Sequence, residues 1–250
     1  MDNAPVGDDP PTAALNLGYV MLQDFYVSDE ERAFIDWGWL GENFVDEVLP
    51  SFIEHVVLCF ISLAIAIAIS LPLGVLAARY RPLYAPLTIV TGFLYTIPSF
   101  SLFTILLFVF GMRVGTAPAI IALVAYSLLI LIRNVVTGLD SVPVETVDAA
   151  RGMGLTNWQI LWNVELPLAL PVIIAGMRIA IVTVIGIAVI GAYIGAGGLG
   201  DLIFDGVSRQ FPTLYVTGAV LATLLAIVSD RFFVVLERAL SPWTKRARRI

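Results

Sequence analysis

Few side chains in this sequence have the types and spacing that enzyme chemistry requires. The only histidine is His55, which follows Glu54. A metal site usually needs three or four clustered ligands, so we interpret His55 as an interfacial hydrogen-bonding residue and expect no metal site. The apolar part of the chain offers no Ser/His/Asp set. The only lysine, Lys245, lies near the end, and a P-loop needs its lysine directly after the phosphate-binding glycines. No catalytic residue and no cofactor are therefore expected in this chain.

The run Gly195–Gly200 matches G-x-G-x-x-G, the dinucleotide-binding fingerprint. That fingerprint requires a preceding strand and a βαβ unit, whereas this run follows an apolar segment long enough to span a membrane. We interpret the glycines as permitting a tight return of the chain and close helix contact. Asp201 and Asp205 follow, and two such acids are more typical of a solvated helix face or a partner contact than of a metal site.

A second group of polar side chains interrupts an apolar segment at Tyr95, Thr96, Pro98 and Ser99. A proline inside a helix removes a hydrogen bond and kinks the chain. In a bilayer, a broken helix survives where protein covers it or where it lines a water-filled path. These four residues are therefore candidates for lining a pore, and a simple packing kink is the alternative.

Two ionisable side chains, Arg178 and Asp230, lie within apolar segments. Each is about six residues from the inner end of its segment, which places both roughly 9 Å deep at 1.5 Å per residue. The matched depth predicts an intramembrane ion pair that offsets the cost of burying either charge. The alternative is that Arg178 extends to the lipid headgroups.

The composition identifies the elements that must position these residues. The chain is 59% hydrophobic and 14% charged, with a mean hydropathy of +0.91, whereas soluble domains are about 45–50% apolar. The sequence predicts an all-α polytopic membrane protein. About five transmembrane helices are expected, at roughly Val56–Ala78, Leu87–Phe110, Pro118–Leu139, Pro171–Ile194 and Thr213–Leu236.

The charges are segregated along the chain. Twelve of the 20 acidic residues precede residue 55, and four of the 14 basic residues occupy the last six positions. Basic loops favour the cytoplasm, so the C-terminus is expected inside and the N-terminus outside. This asymmetry indicates topology, and no nucleic-acid partner is expected.

The pattern divides the chain into four parts. Residues 1–33 are predicted to be a flexible acidic external tail, or alternatively a partner-binding arm. Residues 34–55 are predicted to form an amphipathic interfacial helix, with an ordinary packing helix as the alternative. Residues 56–240 form the transmembrane domain, which includes a polar loop at 140–170. Residues 241–250 form a basic cytoplasmic tail.

The segment Asp148–Pro167 carries the most specific pattern in the chain. Asp148, Ala149 and Ala150 are followed after three residues by Gly154, and nine further residues lead to Val164-Glu165-Leu166-Pro167. This pattern resembles E-A-A-x3-G-x9-I-x-L-P, the cytoplasmic loop of permeases in bacterial ATP-binding-cassette (ABC) importers. Every spacing matches, and the departures are Asp for Glu and Val for Ile. The resemblance extends over about Val56–Val235.

The resemblance implies a permease subunit that couples to a separate ATPase through a helix beginning at Asp148. Ala149 and Ala150 are expected to let this helix pack closely into a cleft of the ATPase. Gly154 is expected to form the turn to a second short helix, which Leu166-Pro167 would end. The segments around the loop look most like permeases for glycine betaine, choline and carnitine, while methionine permeases share the glycine-rich run.

The resemblance also implies the other components. These are an ABC ATPase dimer that holds ATP and magnesium, a second permease copy or paralogue, an extracytoplasmic solute-binding protein, and the lipid of a bacterial inner membrane. Two other classes remain open on the residues alone. An ion-coupled secondary carrier usually shows internal repeats and intramembrane acids, and an intramembrane enzyme needs clustered His, Asp or Glu. Asp148–Pro167 argues against both.

Overall fold

The computed structural model describes residues 34–242, and all regular elements in that range are helical. In chain order these are α1 (Trp37–Asn43), α2 (Leu49–Arg79), α3 (Tyr84–Thr96), α4 (Ser99–Phe108), α5 (Thr116–Asp140), α6 (Val144–Gly152), α7 (Asn157–Ile160), α8 (Leu166–Gly191), α9 (Leu199–Ser208) and α10 (Pro212–Leu240). Short π turns cover Phe44–Val48 and Leu161–Glu165, and 3-10 turns cover Arg81–Leu83 and Ala192–Ile194. The predicted all-α class is confirmed.

The chain divides into a first unit that ends at Glu42 and a second that begins at Asn43. In the first unit, Asp36 caps the start of α1, since its Oδ1 accepts a hydrogen bond from the Trp39 backbone N–H at 2.9 Å. The membrane-interface position expected for residues 34–55 stays a prediction. The predicted tail at 1–33 lies outside the described residues, as does the predicted tail at 241–250 beyond residue 242.

Four helices of the second unit, α2, α5, α8 and α10, contain 31, 25, 26 and 29 residues. About 20 apolar residues suffice to cross a bilayer, and each of the four lies in a helical segment long and apolar enough to do so. The pair α3 and α4 supplies a fifth crossing if the two are one broken span. The expected sidedness of the termini stays a prediction.

The helix α2 begins earlier than the sequence suggests, at Leu49 instead of about Val56. Pro50 does not prevent this, because a proline in the first turn lacks an N–H that would be unbonded there anyway. Along α2, Ile53, Val57, Ile61 and further apolar side chains at the same four-residue spacing are 38–52% exposed. An exposed apolar stripe of this length is typical of a surface that faces lipid.

The helix α5 lies at the centre of the second unit, where it packs mainly against α2 and α8. Its Leu123 and Ile132 are fully buried, as are Ile181 and Val184 of α8. The helix α10 packs against α8 and α9. The polar segment 141–165 and the loop 192–198 therefore connect to opposite ends of α8.

Candidate functional site

The turn after α6 is defined by local backbone hydrogen bonds. Gly154 has a φ of +86°, its N–H bonds to the Arg151 carbonyl at 3.0 Å, and the Leu155 N–H bonds to the Ala150 carbonyl at 3.3 Å. These two bonds form a Schellman motif, which ends a helix at a residue of left-handed conformation, usually glycine. The structure thus places Gly154 between two short helices.

The next helix starts at once through a capping box at Thr156. Its hydroxyl accepts from the Gln159 N–H at 3.4 Å, and the Gln159 Oε1 accepts from the Thr156 N–H at 2.8 Å. This pair was not predicted, although Thr-x-x-Gln is a recognisable signal for a helix start. Two capping motifs in succession fix the direction of the chain between α6 and α7.

The expectation that Asp148 begins a helix is wrong, because α6 begins four residues earlier, at Val144. Pro143 precedes it with a φ of −58° and a ψ of 132°. The proline ring fixes φ and favours a start at the next residue. Glu145 occupies the first turn, while the Asp148 carboxylate accepts a hydrogen bond from Arg151 at 3.1 Å.

The expectation that Leu166-Pro167 ends the second helix is also wrong. The chain is helical from Asn157 to Ile194, and Pro167 lies in the first turn of α8. The π turn Leu161–Glu165 explains this, since the Leu166 N–H bonds back five residues to the Leu161 carbonyl. A wider turn before the proline accommodates a residue that has no N–H and whose ring would crowd the preceding turn.

The exposure of α6 separates the two alanines. Asp148 and Ala149 are exposed, whereas Ala150 is 2% exposed. Ala150 therefore packs inside this chain and does not reach an external cleft, contrary to the expectation from the resemblance. The exposed surface of this segment also includes Met153 at 73% and Trp158 at 66%. Large exposed apolar side chains on a polar loop are typical of a protein contact.

The segment Asp148–Pro167 is called the coupling segment below, after its expected role. Two bidentate ion pairs hold Glu165 of this segment and Asp140 at the end of α5 to Arg79 and Arg81, at and after the end of α2. Arg79 donates from both terminal nitrogens to the Glu165 carboxylate, whose side chain is 10% exposed. Arg81 donates likewise to Asp140, with Nη1 3.0 Å from Oδ2. The partners are 86 and 59 residues apart, so spacing alone gave no signal for either pair.

These pairs border a cleft of about 420 Å³ between the end of α5, α6 and Glu165. Its wall includes Arg81, Asp140, Asp148 and Arg151. Both signs of charge meet there in hydrogen-bonded pairs, so the cleft has no large field of one sign. The two ion pairs with Arg79 and Arg81 thus hold the segment 140–165 against the ends of the long helices.

The predicted break in the second apolar segment lies between α3 and α4, which meet at an angle of 97°. Ile97 and Pro98 have extended backbone conformations. The Tyr126 hydroxyl of α5 donates a hydrogen bond to the Ile97 carbonyl, which satisfies an acceptor that the broken helix leaves free. Among the candidate pore residues, Tyr95, Thr96 and Pro98 are exposed and Ser99 is half-buried.

The run Gly195–Gly200, called the glycine loop below, packs against the first part of α2. The Glu54 carboxylate accepts a hydrogen bond from the Gly198 N–H at 3.1 Å. His55 is fully buried, with Nε2 3.2 Å from the Ile185 carbonyl. His55 is therefore a buried hydrogen-bonding residue, its depth in the membrane stays a prediction, and the described residues hold no group of three metal-ligating side chains.

Acidic side chains gather around the glycine loop. Partial burial raises the pKa of the Asp201 carboxyl, and the nearby carboxylates of Glu54 and Asp205 raise it further. Asp205 also accepts a hydrogen bond from Arg209 at 3.0 Å. The carboxylates of Glu54, Asp201 and Asp205 thus give the surroundings of the glycine loop an excess of negative charge. The charges next to the coupling segment, by contrast, are balanced in pairs.

The structure brings Arg178 and Asp230 together. Arg178 donates from Nε to Oδ1 at 2.8 Å and from Nη2 to Oδ2 at 3.2 Å. Their side chains are 32% and 30% exposed. The bidentate geometry joins α8 to α10, while the membrane depth of the pair stays a prediction.

Comparison with known proteins decides the family. Residues 70–242 match the family described as "Binding-protein-dependent transport system inner membrane component". The chain belongs to this family. It is 41% identical over 200 residues to the glycine betaine/carnitine/choline transport system permease protein OpuCD of Bacillus subtilis, covering 80% of this chain and 86% of that one. It is 43% identical over 192 residues to the osmoprotectant import permease protein OsmW of Salmonella typhimurium, covering 76% and 89%.

Solved structures agree with this assignment. An inward-facing structure of the MetNI methionine ABC transporter is 28% identical, with a TM-score of 0.68 over 75% of this chain and 93% of that one. A structure of an amino acid ABC transporter with histidines is 17% identical, with a TM-score of 0.66 over 82% and 99%, and shows a common fold. This family member is a multi-pass permease subunit of an ABC importer in a bacterial inner membrane, and its homologues are not themselves enzymes.

Proposed function

We propose that this permease forms the translocation path for a quaternary-ammonium osmoprotectant such as glycine betaine, choline or carnitine. The observation that carries the proposal is the identity of 41–43% with permeases named for these solutes, over more than three quarters of the chain. In this proposal Tyr95, Thr96, Pro98 and Ser99 line the path. Their exposure beside a break in a membrane helix supports that role, because irregular backbone needs a protein cover or water.

Coupling runs through the segment Asp148–Pro167 to a separate ABC ATPase dimer that binds ATP and magnesium. Asp148, Ala149, Met153 and Trp158 supply the exposed contact surface, and Gly154 fixes its shape. A second permease, identical or related, completes the path within the lipid. An extracytoplasmic binding protein delivers the solute. Binding energy at the ATPase acts on the path only insofar as the segment contacts its open and closed states differently.

A second candidate is import of a small amino acid such as methionine. The likeness to the MetNI structure over 75% of this chain favours it. The identity of 28% with that structure is lower than the 41–43% with the osmoprotectant permeases, so the quaternary ammonium remains the first choice.

Coupling is tested by co-purifying the permease with its ATPase and measuring ATP hydrolysis stimulated by loaded binding protein. We expect Ala149→Glu to lower complex recovery and stimulation at least tenfold, because a charge is placed on the exposed contact face. Ala149→Ser is the size control and Ala85→Glu, at another exposed alanine, is the charge control. Equal recovery and stimulation for Ala149→Glu and both controls would remove the coupling role.

The solute is tested in proteoliposomes that contain permease, ATPase and binding protein. We expect ATP-dependent uptake of radiolabelled choline, glycine betaine or carnitine, and none without ATP. Uptake of methionine with no uptake of any quaternary amine would transfer the assignment to the second candidate.

A further inference from the structure

Three aromatic side chains from separate elements meet beside the helix break. Phe100 lies in the first turn of α4, Tyr193 in the 3-10 turn after α8, and Phe204 in α9. The ring centroids of Phe100 and Tyr193 are 5.8 Å apart with planes at 88°, and those of Tyr193 and Phe204 are 4.1 Å apart at 49°. The rings thus form one connected cluster, called the aromatic trio below.

The aromatic trio does not fill the core. Phe100 is 55% and Tyr193 63% exposed, while the opposite side of α4, with Leu102, Phe103 and Leu106, is buried. Phe204 is half-buried, while Phe100 and Tyr193 are accessible to another molecule.

Lipid is a poor match for this surface. Phe100 follows the extended residues Ile97 and Pro98 almost directly, and non-helical backbone does not persist against lipid tails. The Tyr193 side chain also carries a hydroxyl. The trio therefore faces either protein or the water-filled path that the candidate pore residues border.

The charges around the trio favour a cation. Phe204 lies on α9 three residues after Asp201, so these two share one side of the helix, and Asp205 is the next residue in the chain. Glu54 adds a third carboxylate close to the start of α9. Arg209 offsets only one of these charges through its pair with Asp205.

We propose that Phe100, Tyr193 and Phe204 form a transit site in the permease that holds the quaternary ammonium group of the solute on its way through the path. A trimethylammonium group carries no N–H, so it cannot donate conventional hydrogen bonds. The electron-rich faces of aromatic rings, aided by nearby carboxylates, are the chemistry that recognises it. This inference rests on the proposed function and adds a residue-level site to it.

The test uses the whole complex in proteoliposomes and follows choline uptake together with stimulated ATP hydrolysis. We expect Tyr193→Ala and Phe100→Leu to lower uptake about tenfold, in line with the loss of a cation–π contact, while Tyr193→Phe and Phe100→Trp retain it. Tyr80→Ala, at another exposed tyrosine, is the matched control. Equal uptake by Phe100→Leu and Phe100→Trp would overturn the site, because packing alone would then explain the trio.

Fluorinated phenylalanines at position 100 provide a second readout. Each added fluorine weakens the electrostatic attraction of the ring face for a cation with little change in its size. A stepwise fall in choline uptake from one to three fluorines supports the site, and a flat series contradicts it.

Three other outcomes would each reject the transit site. Loss of the second permease from Tyr193→Ala complexes would make the trio a subunit interface. A higher binding-protein concentration for half-maximal ATP hydrolysis, with full uptake at saturation, would make it a docking surface. If the wild-type complex takes up methionine and no quaternary amine, the proposed function itself fails, and this is distinguishable because the wild type then fails as well as the variants.

Discussion

Two glycines with the same positive φ lie beyond the two ends of α8 and serve different purposes. Gly154, in the coupling segment, and Gly198, in the glycine loop, both have a φ of +86°. A Cβ at Gly154 would meet no atom within 4 Å, whereas a Cβ at Gly198 would lie 3.0 Å from His55 Nδ1. The first glycine supplies a turn, and the second supplies a turn together with close contact to another helix.

The hydrogen bonds around Gly154 and Gly198 show which contacts determine the backbone shape beyond each end of α8. The turns of the coupling segment are formed by hydrogen bonds between residues three to five apart, in the Schellman motif and the capping box. The glycine loop begins with a Schellman motif of its own, in which the Gly195 N–H bonds to the Ala192 carbonyl and the Ala196 N–H to the Gly191 carbonyl. It is also held by Glu54, which is 144 residues away from Gly198. Local hydrogen bonds therefore form the turns at both ends, and contacts with α2 over long sequence distances, from Glu165 to Arg79 and from Gly198 to Glu54, hold each end in place.

The largest effect on stability is expected at the glycine loop, where α9 packs closely against α8. A Cβ at Gly200 would lie 2.1 Å from the Val189 carbonyl oxygen, so Gly200→Ala must displace α9 from α8. We expect a loss of about 3 kcal/mol in the free energy of unfolding, measured by denaturation of the purified permease in detergent. Gly186→Ala, where a Cβ meets nothing within 4 Å, is the control. Equal stability of the two variants would contradict the crowding.

The two ion pairs next to the coupling segment should differ in importance. Arg79→Gln leaves Glu165, at 10% exposure, without its cation, and we expect a cost of about 2 kcal/mol. Arg81→Gln leaves Asp140, at 40% exposure, in contact with water, and should cost less than about 1 kcal/mol. Urea or heat denaturation of both variants measures the two losses in the free energy of unfolding. A larger loss for Arg81→Gln than for Arg79→Gln would contradict the expected order.

The turn itself is tested by two glycines on the same segment. Gly154→Ala forces a left-handed conformation on an L residue and should cost about 1–2 kcal/mol. Gly152→Ala places a methyl group in equally open space within α6 and should be neutral or slightly stabilising. Thermal unfolding in detergent distinguishes them, and matching midpoints would show that the turn can rearrange freely.

The pair of Arg178 and Asp230 tests whether long-range contacts also hold the middle of the bundle. In a double-mutant cycle with Arg178→Gln and Asp230→Asn, we expect a coupling energy of about 1 kcal/mol. The bidentate geometry and partial burial are the reasons. Strictly additive effects on the free energy of unfolding would exclude the pair as a stabilising contact.

The smallest effect is expected from the capping box. Thr156→Ala removes the hydroxyl that accepts from Gln159 and should cost somewhat less than about 1 kcal/mol. Thr156→Ser keeps the acceptor and should behave as wild type. Hydrogen exchange of the amides in α7 reports the loss locally, and unchanged exchange in Thr156→Ala would mean that packing alone maintains this helix start.

Much of the fold could be predicted because a bilayer requires long apolar helices, whose pattern is visible in the sequence. The break near Pro98 and the turn at Gly154 were also predictable, since each depends on one residue's backbone chemistry. The matched depths of Arg178 and Asp230 indicated a contact that the geometry contains.

The remaining features depend on contacts that no local pattern encodes. The buried His55 lies in hydrogen-bond contact with the Ile185 carbonyl, 130 residues away, and the Tyr126 hydroxyl donates to the Ile97 carbonyl, 29 residues away. The start of α6 was misplaced because the family pattern begins at Asp148, whereas Pro143 decides where the helix begins. The π turn Leu161–Glu165 was not predicted, because no single residue type requires it. It arises where the helix continues without interruption up to Pro167.

The pair of Arg79 and Glu165 has a consequence for biosynthesis. The two residues are 86 positions apart, so at about 5–20 residues per second Glu165 is synthesised roughly 4–17 s after Arg79. During that interval Arg79 must be solvated by other means, and its side chain remains 43% exposed even in the folded protein. Glu165, at 10% exposure, emerges when its partner already exists. Because Arg79 is synthesised first, Glu165, the more buried of the two charges, has its counter-ion available as soon as it is made.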